Sequence, residues 1–333
     1  MQPRRARRLF PDQPELAAVA PTAAVAVIAA WMSAIAVRTA SPARRRRSRV
    51  AGLRAGDDRG VSDDVEPVTR VAPDYTGPTM MTQRWCDITF LHWAVPPDAV
   101  APLLPPGVHP DVHDGATWVG LVPFRMVGAG VLRGPSIPYL GTFPETNVRL
   151  YTVDERGVRG IVFRSLDATR LAVVAGARAA FGLPYRWSSM DIADAGGDGA
   201  ERSSTQVGRT RTYVTHRPHA SRVRVRVGEP MASGPLEDFL TARWGLHERH
   251  LGVDWYVPNV HEPWPLHAAE VLELDDDLVA AAGFPDLAGR APDHVASSPG
   301  VSVRFGFPRP WRRPRPVARL LAGTARSARD TSQ

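Results

Sequence analysis

From Thr82 onward, apolar and polar positions alternate with a period near two along most of the chain, the pattern of strands with one face buried. The runs that carry it are TWVGLVPF (117–124), ETNVRLYTV (145–153), GIVFRSL (160–166), TRTYVTH (210–216), SRVRVRV (221–227), AAEVLEL (268–274) and VSVRFGF (301–307). Each is rich in β-branched and aromatic residues, and Gly, Pro or Asp separates one from the next. The alternation is strictest in SRVRVRV. Val223, Val225 and Val227 share one face there and Arg222, Arg224 and Arg226 the other, so the arginine face is expected in solvent.

Helical periodicity is confined to short stretches. DATRLAVVAGARAAF (167–181) has Asp167 or Thr169 to cap it and Gly182-Leu183-Pro184 to stop it. GPLEDFLTARW (234–244) has Ser233 before it and Pro235 in its first turn, and DDDLVAAAGF (275–284) opens on acids and closes at Gly283. Many short strands with few helices predict a mainly β chain (β-rich α+β). The expected architecture is a curved antiparallel sheet or closed barrel with helices on its outside or ends.

The termini follow a different pattern. Residues 16–37, LAAVAPTAAVAVIAAWMSAIAV, hold no charge over 22 positions and are flanked by arginines, more of them on the C-terminal side. That length spans a bilayer, and the charge bias would leave the body cytoplasmic. The run is mostly Ala and contains Pro21, and Met80-Met81 stand just before the first well-patterned strand. A membrane anchor, an upstream start-site artefact and a basic tail all remain open for it. The domain reading is thus a basic N-terminal region (1–79), a barrel domain (80–308) and a basic tail (309–333).

Charge sharpens this division. The first fifty residues hold ten Arg and two acids, residues 304–333 eight Arg and one acid, and the stretch between carries 23 Arg against 31 acids. The folded body is therefore acidic, which excludes reading it as a nucleic-acid binder. The basic residues are all arginine; the chain has no lysine. A Schiff base needs a neutral side-chain amine, and guanidinium cannot supply one. The single Cys86 allows no internal disulfide and no multi-cysteine metal site.

The strand PETNVRLY (144–151) carries the most chemistry. Glu145, Asn147, Arg149 and Tyr151 fall on one face, Thr146, Val148 and Leu150 on the other. On an outer face this is ordinary polar surface; inside a barrel it lines a pocket where Arg149 grips a carboxylate and Glu145 handles a proton. His92-Trp93 and the group His261, Glu262, Trp264 and His267 read first as packed aromatics with satisfied imidazoles. His247 and His250 stand three apart without a third ligand at diagnostic spacing, so no metal is expected, and no Gly-rich phosphate loop or nucleophile motif points to a cofactor.

The stretches FLHWAVPPDAVAPLLPPGVHPDVHDGATWVGLVPFRM, PETNVRLYTV, FRSLDATRLAVVAGARAAFGLPY and HEPWPL occur in order between about Thr82 and Phe307. They resemble the YqjF-like family, a domain of unknown function that is similar in fold to acetoacetate decarboxylase, a cone-like antiparallel barrel with its site inside. In those decarboxylases a turn of the form Arg-Glu-x-x-Gly-x-Pro-Lys-Lys supplies the Schiff-base lysine and its cationic neighbour. The matching stretch here runs from Arg178 through Ala179, Gly182 and Pro184 to Tyr185 and Arg186. The resemblance thus puts Tyr185 at the nucleophile's place, Arg186 at its neighbour's and Glu145 at an acidic pocket position. Tyrosine forms no iminium, so Schiff-base decarboxylation is excluded, and Tyr185 is expected as a neutral hydrogen-bond donor.

Three functions follow. The first is binding of a small carbonyl or carboxylate ligand in the barrel, with Arg149, Arg186, Asn147, Tyr151 and His261 as ligand-binding residues beside Glu145 and Tyr185. The second is a lyase or isomerase acting on a keto or hydroxy acid, with Glu145 as acid/base. The third is an interaction module that meets membrane through its N-terminal segment. Barrels of this resemblance often assemble, so a homo-oligomer fits, although nothing in the sequence specifies an interface.

Overall fold

The computed structural model describes residues 65–195 and 207–312. The strands are β1 (Thr79–Val95), β2 (Val108–Pro110), β3 (Thr117–Val131), β4 (Phe143–Asp154), β5 (Arg159–Ala168), β6 (Tyr185–Trp187) and β7 (Ser189–Ala195). After them come β8 (Thr210–Arg217), β9 (Ser221–Pro230), β10 (Gly245–His250), β11 (Val253–His261), β12 (His267–Asp276), β13 (His294–Gly306) and β14 (Arg309–Arg312). The helices are α1 (Pro97–Val100), α2 (Leu171–Phe181), α3 (Pro235–Thr241) and α4 (Leu278–Ala281).

Seven strands close on themselves in the order β11, β10, β5, β4, β3, β1, β13, the last pairing back onto β11 through Asn259–Phe305 and His261–Val303. The barrel is mixed. Its neighbours are antiparallel except at the seam where Leu246 of β10 meets Ile161 of β5 in parallel. The other half of β13 pairs with β12 instead, and β12, β9, β8 and β7 continue as an outer sheet.

This arrangement decides which face of β4 is inside. Val148 and Leu150 pack outward with Leu91, Val119, Val223 and Val225, in the apolar layer between the barrel wall and the outer sheet. Glu145, Asn147 and Arg149 must then face the barrel interior. β4 is consequently buried on both sides, with Val148, Leu150 and Tyr151 fully enclosed. On β9 Val223 and Val225 meet the same layer and Val227 is buried, while Arg226 reaches Glu270 at 2.7 Å and Arg222 lies 3.7 Å from Glu273 on β12. These are exposed pairs, and they contribute little.

Several boundaries differ from the sequence expectation. α2 starts at Leu171 with Arg170 before it, because Asp167 and Ala168 belong to β5, paired with Thr146 and Glu145 on one side and with β6 on the other. Ladder pairing on two sides outweighs the capping preference of Asp167 or Thr169. The helix ends where expected, Gly182 taking φ 71° at its C-cap. α3 is capped without Ser233: the Gly234 N–H donates to Glu237 at 2.8 Å. α4 keeps only four residues of the helix expected over 275–284, since β12 extends to Asp276. β10 and β11, which the alternation did not single out, complete the barrel.

Residues 65–78, ahead of the boundary expected at 80, lie along the barrel. The Arg159 N–H donates to Glu66 Oε1 at 2.8 Å, Trp244 Nε1 donates to the Thr69 carbonyl and Arg70 pairs with Asp238. β14, past the expected end at 308, adds to β11. No helix among the described residues is long and apolar enough to cross a membrane, and the 16–37 segment lies outside those residues.

Candidate active site

A cavity of about 200 Å³ occupies the barrel. Glu145, Asn147 and Arg149 line it from β4, Tyr185 from β6, and Gln83 from β1. The remaining wall is largely aromatic and aliphatic, including Phe124, Phe143, Phe163 and Leu166. β5 carries a bulge between Phe163 and Ser165 opposite Val148–Arg149. It keeps Ile161, Phe163 and Leu166 all inward and sends Arg164 outward to the carbonyls of Ala282 and Leu103.

The Tyr185 hydroxyl donates to Glu145 Oε2 at 3.0 Å. Burial pushes the Glu145 carboxyl up to about 8, with the Tyr185 hydrogen bond opposing the shift and Asp167 adding to it. Burial, with Glu145 beside it, pushes the Tyr185 phenol well above 10. At neutral pH the pair is a neutral acid and a neutral phenol; the phenol proton lies on Glu145, and the carboxyl proton is the one the pair can offer to the cavity. Asn147 is 5% exposed, and among the described residues its Oδ1 finds no hydrogen-bond partner.

Arg149 is 8% exposed. Its Nε donates to the Tyr151 hydroxyl at 3.1 Å and its Nη2 to the Leu240 carbonyl at 3.2 Å, and its guanidinium lies 5.4 Å from the ring centres of Phe90 and Tyr151. Among the described residues no carboxylate pairs with it. Arg243, by contrast, is also buried but reaches Asp111. Gly120 stands opposite Arg149 on β3, and a Cβ there would meet the His92 ring at 3.1 Å and Arg149 Cγ at 3.3 Å. Even an alanine Cβ would press on both side chains.

Behind Arg149 runs a buried polar chain. The Tyr151 hydroxyl donates to the Leu240 carbonyl at 3.0 Å and lies 2.6 Å from His92 Nε2, whose Nδ1 is 3.0 Å from His294 Nδ1. With the Tyr151 proton on Leu240, His92 Nε2–H donates to the tyrosine oxygen, and His92 Nδ1 accepts from His294 Nδ1–H. Both imidazoles are then neutral. That agrees with burial lowering both titrations, His92's well below 6.5.

Glu145, Asn147, Arg149 and Tyr185 therefore meet around one cavity; three other expected site residues do not reach it. Tyr151 points into the chain behind Arg149. Arg186, the expected cationic neighbour of Tyr185, is on the opposite face of β6, with Nε 3.6 Å from Asp167, because adjacent strand residues point apart. His261 is packed among Trp85, Trp244 and Trp264, ring centres 4.6–6.2 Å away; its Nδ1 meets the Glu262 carbonyl, and burial lowers it to about 4. His247 lies beside Thr152 and Asp154, while His250 turns to the Ala179 carbonyl.

The sequence reading missed the wall formed by Val173, Gly176 and Ala177 of α2. Their i, i+3, i+4 spacing was a usable signal: small residues on one helix face leave space against the barrel.

Residues 82–302 match the DUF2071 family, described as "Uncharacterized conserved protein". The "Uncharacterized protein YqjF" of Bacillus subtilis (strain 168) is 31% identical over 198 residues, covering 57% of this chain and 76% of that protein. Among solved structures, an acetoacetate decarboxylase-like enzyme from Sphingomonas wittichii RW1 matches with TM-score 0.51 at 13% identity, over 70% of this chain and 93% of that one. The enduracididine biosynthesis enzyme MppR, complexed with the condensation product of pyruvate and imidazole 4-carboxaldehyde, matches with TM-score 0.50 at 16% identity, over 77% and 98%. The chain thus belongs to the DUF2071 family, on a barrel of the acetoacetate decarboxylase-like fold.

Proposed function

We propose that the barrel binds a small organic acid bearing a carbonyl or hydroxyl group, without forming a covalent imine. The observation that carries this reading is Arg149, a buried cation facing the cavity with no carboxylate among its described partners. Burying an unpaired charge costs several kcal/mol, and a ligand carboxylate would supply the missing partner, with bidentate geometry available from the guanidinium. The unpartnered Asn147 Oδ1 accepts from a ligand hydroxyl or enol, while neutral Glu145, held by the Tyr185 hydroxyl, donates its own proton to a carbonyl oxygen. MppR, a protein of the same fold, is described with a pyruvate condensation product bound, a ligand of this class.

A second reading is favoured by Glu145 itself. A carboxyl titrating near 8 inside a cavity suits general acid–base work, as in a lyase or isomerase acting on a keto or hydroxy acid. Turnover lost in Glu145→Gln while binding persists would select it.

The test is a thermal-shift panel of 2-oxo and hydroxy acids on the full chain, followed by borohydride reduction of any complex and mass spectrometry. A ligand at a hundred times its Kd stabilises by about 2.7 kcal/mol. The expected result is stabilisation by acids, loss of it in Arg149→Gln, and no reduced adduct on any side chain. Stabilisation that survives Arg149→Gln contradicts the proposal.

A further inference from the structure

We propose that the acid bound here carries an apolar tail, its carboxylate at Arg149 and its hydrocarbon part filling the rest of the barrel. This rests on Arg149 as the carboxylate anchor.

The polar groups of the cavity are concentrated on one side. Glu145, Asn147 and Arg149 come from a single strand with Tyr185 beside them and Gln83 on β1; the residues next to them on β3 and β5, Val122, Phe124, Phe163 and Leu166, are apolar, and so are Val257 of β11 and Phe305 of β13 on the strands farthest round the barrel from β4. The half-buried lining residues are spread over several elements, Met81 and Trp85 on β1, Ile137 and Leu140 between β3 and β4, and Ala172 and Val173 on α2 among them. Apart from Tyr185 they too are apolar or aromatic. A fully polar small acid would satisfy Arg149 and leave water standing against these walls. An acid with a chain or ring displaces that water and matches both halves of the site.

Chain length is therefore the variable to measure. Isothermal titration calorimetry of the full chain is run with acetate, butyrate, hexanoate and octanoate, and with 1-octanol as the same tail without the charge. Affinity should rise about three- to fourfold per methylene until the cavity is filled, the factor expected for burying one CH₂, with a negative heat-capacity change that grows with chain length. Octanol should bind at least tenfold more weakly than octanoate. Ala177→Phe, which takes up part of the cavity, should lower the chain length at which affinity levels off.

Acetate binding as tightly as octanoate overturns the tail and leaves the Arg149 anchor standing. Octanol equal to octanoate overturns the anchor and the function built on it. No binding by any member overturns the tail, and the anchor is then decided by the 2-oxo and hydroxy acids of the thermal-shift panel.

Discussion

Glu145 and Arg149 are both charged in water and both nearly sealed from it here, but they resolve the cost differently. The Arg149 guanidinium leans on two oxygen acceptors and two ring faces. Glu145 can stay protonated, and burial makes it do so up to about pH 8. In the unfolded chain it titrates near 4.5. Between those values the folded protein holds a proton that the unfolded chain has released. Its stabilising contribution is therefore whole below about 4.5 and is lost as pH rises through 8. Glu145→Gln keeps the shape and an acceptor for Tyr185 while removing the titration. Urea unfolding should show the variant level with the parent at pH 4.5 and more stable at pH 8.5, by on the order of 3 kcal/mol. An equal difference at both pH values would show that Glu145 is charged in the fold.

At the scale of elements, β4 was the most legible part of the site, because strict alternation assigns Glu145, Asn147 and Arg149 to one face whatever surrounds the strand. Sequence could not choose between inside and outside. That choice is made by Val223 and Val225 of β9, far along the chain, which cover the opposite face. Arg186 shows the complementary limit. Its adjacency to Tyr185 suggested a shared site, but the three-residue strand β6 sends the two side chains apart, one to the cavity and one toward Asp167. The short β6 and the bulge in β5 leave no periodic trace long enough to read. Gly120 gives a test of how tightly β1, β3 and β4 are fitted. Gly120→Ala should destabilise by about 1–3 kcal/mol, since His92 or Arg149 must shift by a few tenths of an ångström. It should also weaken acid binding. Full stability in this variant would mean that the interior has slack the structure does not show.

For the whole molecule, a mainly β chain forming a curved sheet or a closed barrel was legible from alternation and turn residues, and the family resemblance chose the barrel. The parallel seam between β5 and β10 was not, because strand order depends on contacts distant in sequence. The buried titratable groups together set a pH profile. Glu145 and Glu248, both raised to about 8 chiefly by burial, lower stability as pH rises from about 4.5. His92, His247, His261 and His294, all lowered by burial, are neutral in the fold and charge first in the unfolded chain near 6.5. Their contribution is present above 6.5 and lost as pH falls toward their folded values. Asp167 and Asp276, also raised by burial, act in the same direction as the glutamates. Above 6.5 the imidazole contribution is nearly complete while Glu145 and Glu248 still favour the unfolded chain, so urea midpoints should fall between pH 7 and 8.5; a steady rise to pH 8.5 would contradict the assignment of neutral Glu145 and Glu248.

The central claim is that Arg149 binds a carboxylate inside the barrel, and a crystal structure grown with 2-oxooctanoate tests it most directly. The account predicts the carboxylate within about 3 Å of the Arg149 guanidinium, the oxo oxygen facing Glu145 and Tyr185, the alkyl chain against Phe124 and Phe163, and no bond to any side chain. A cavity left empty at saturating ligand, or an acid bound with its carboxylate away from Arg149, would contradict it.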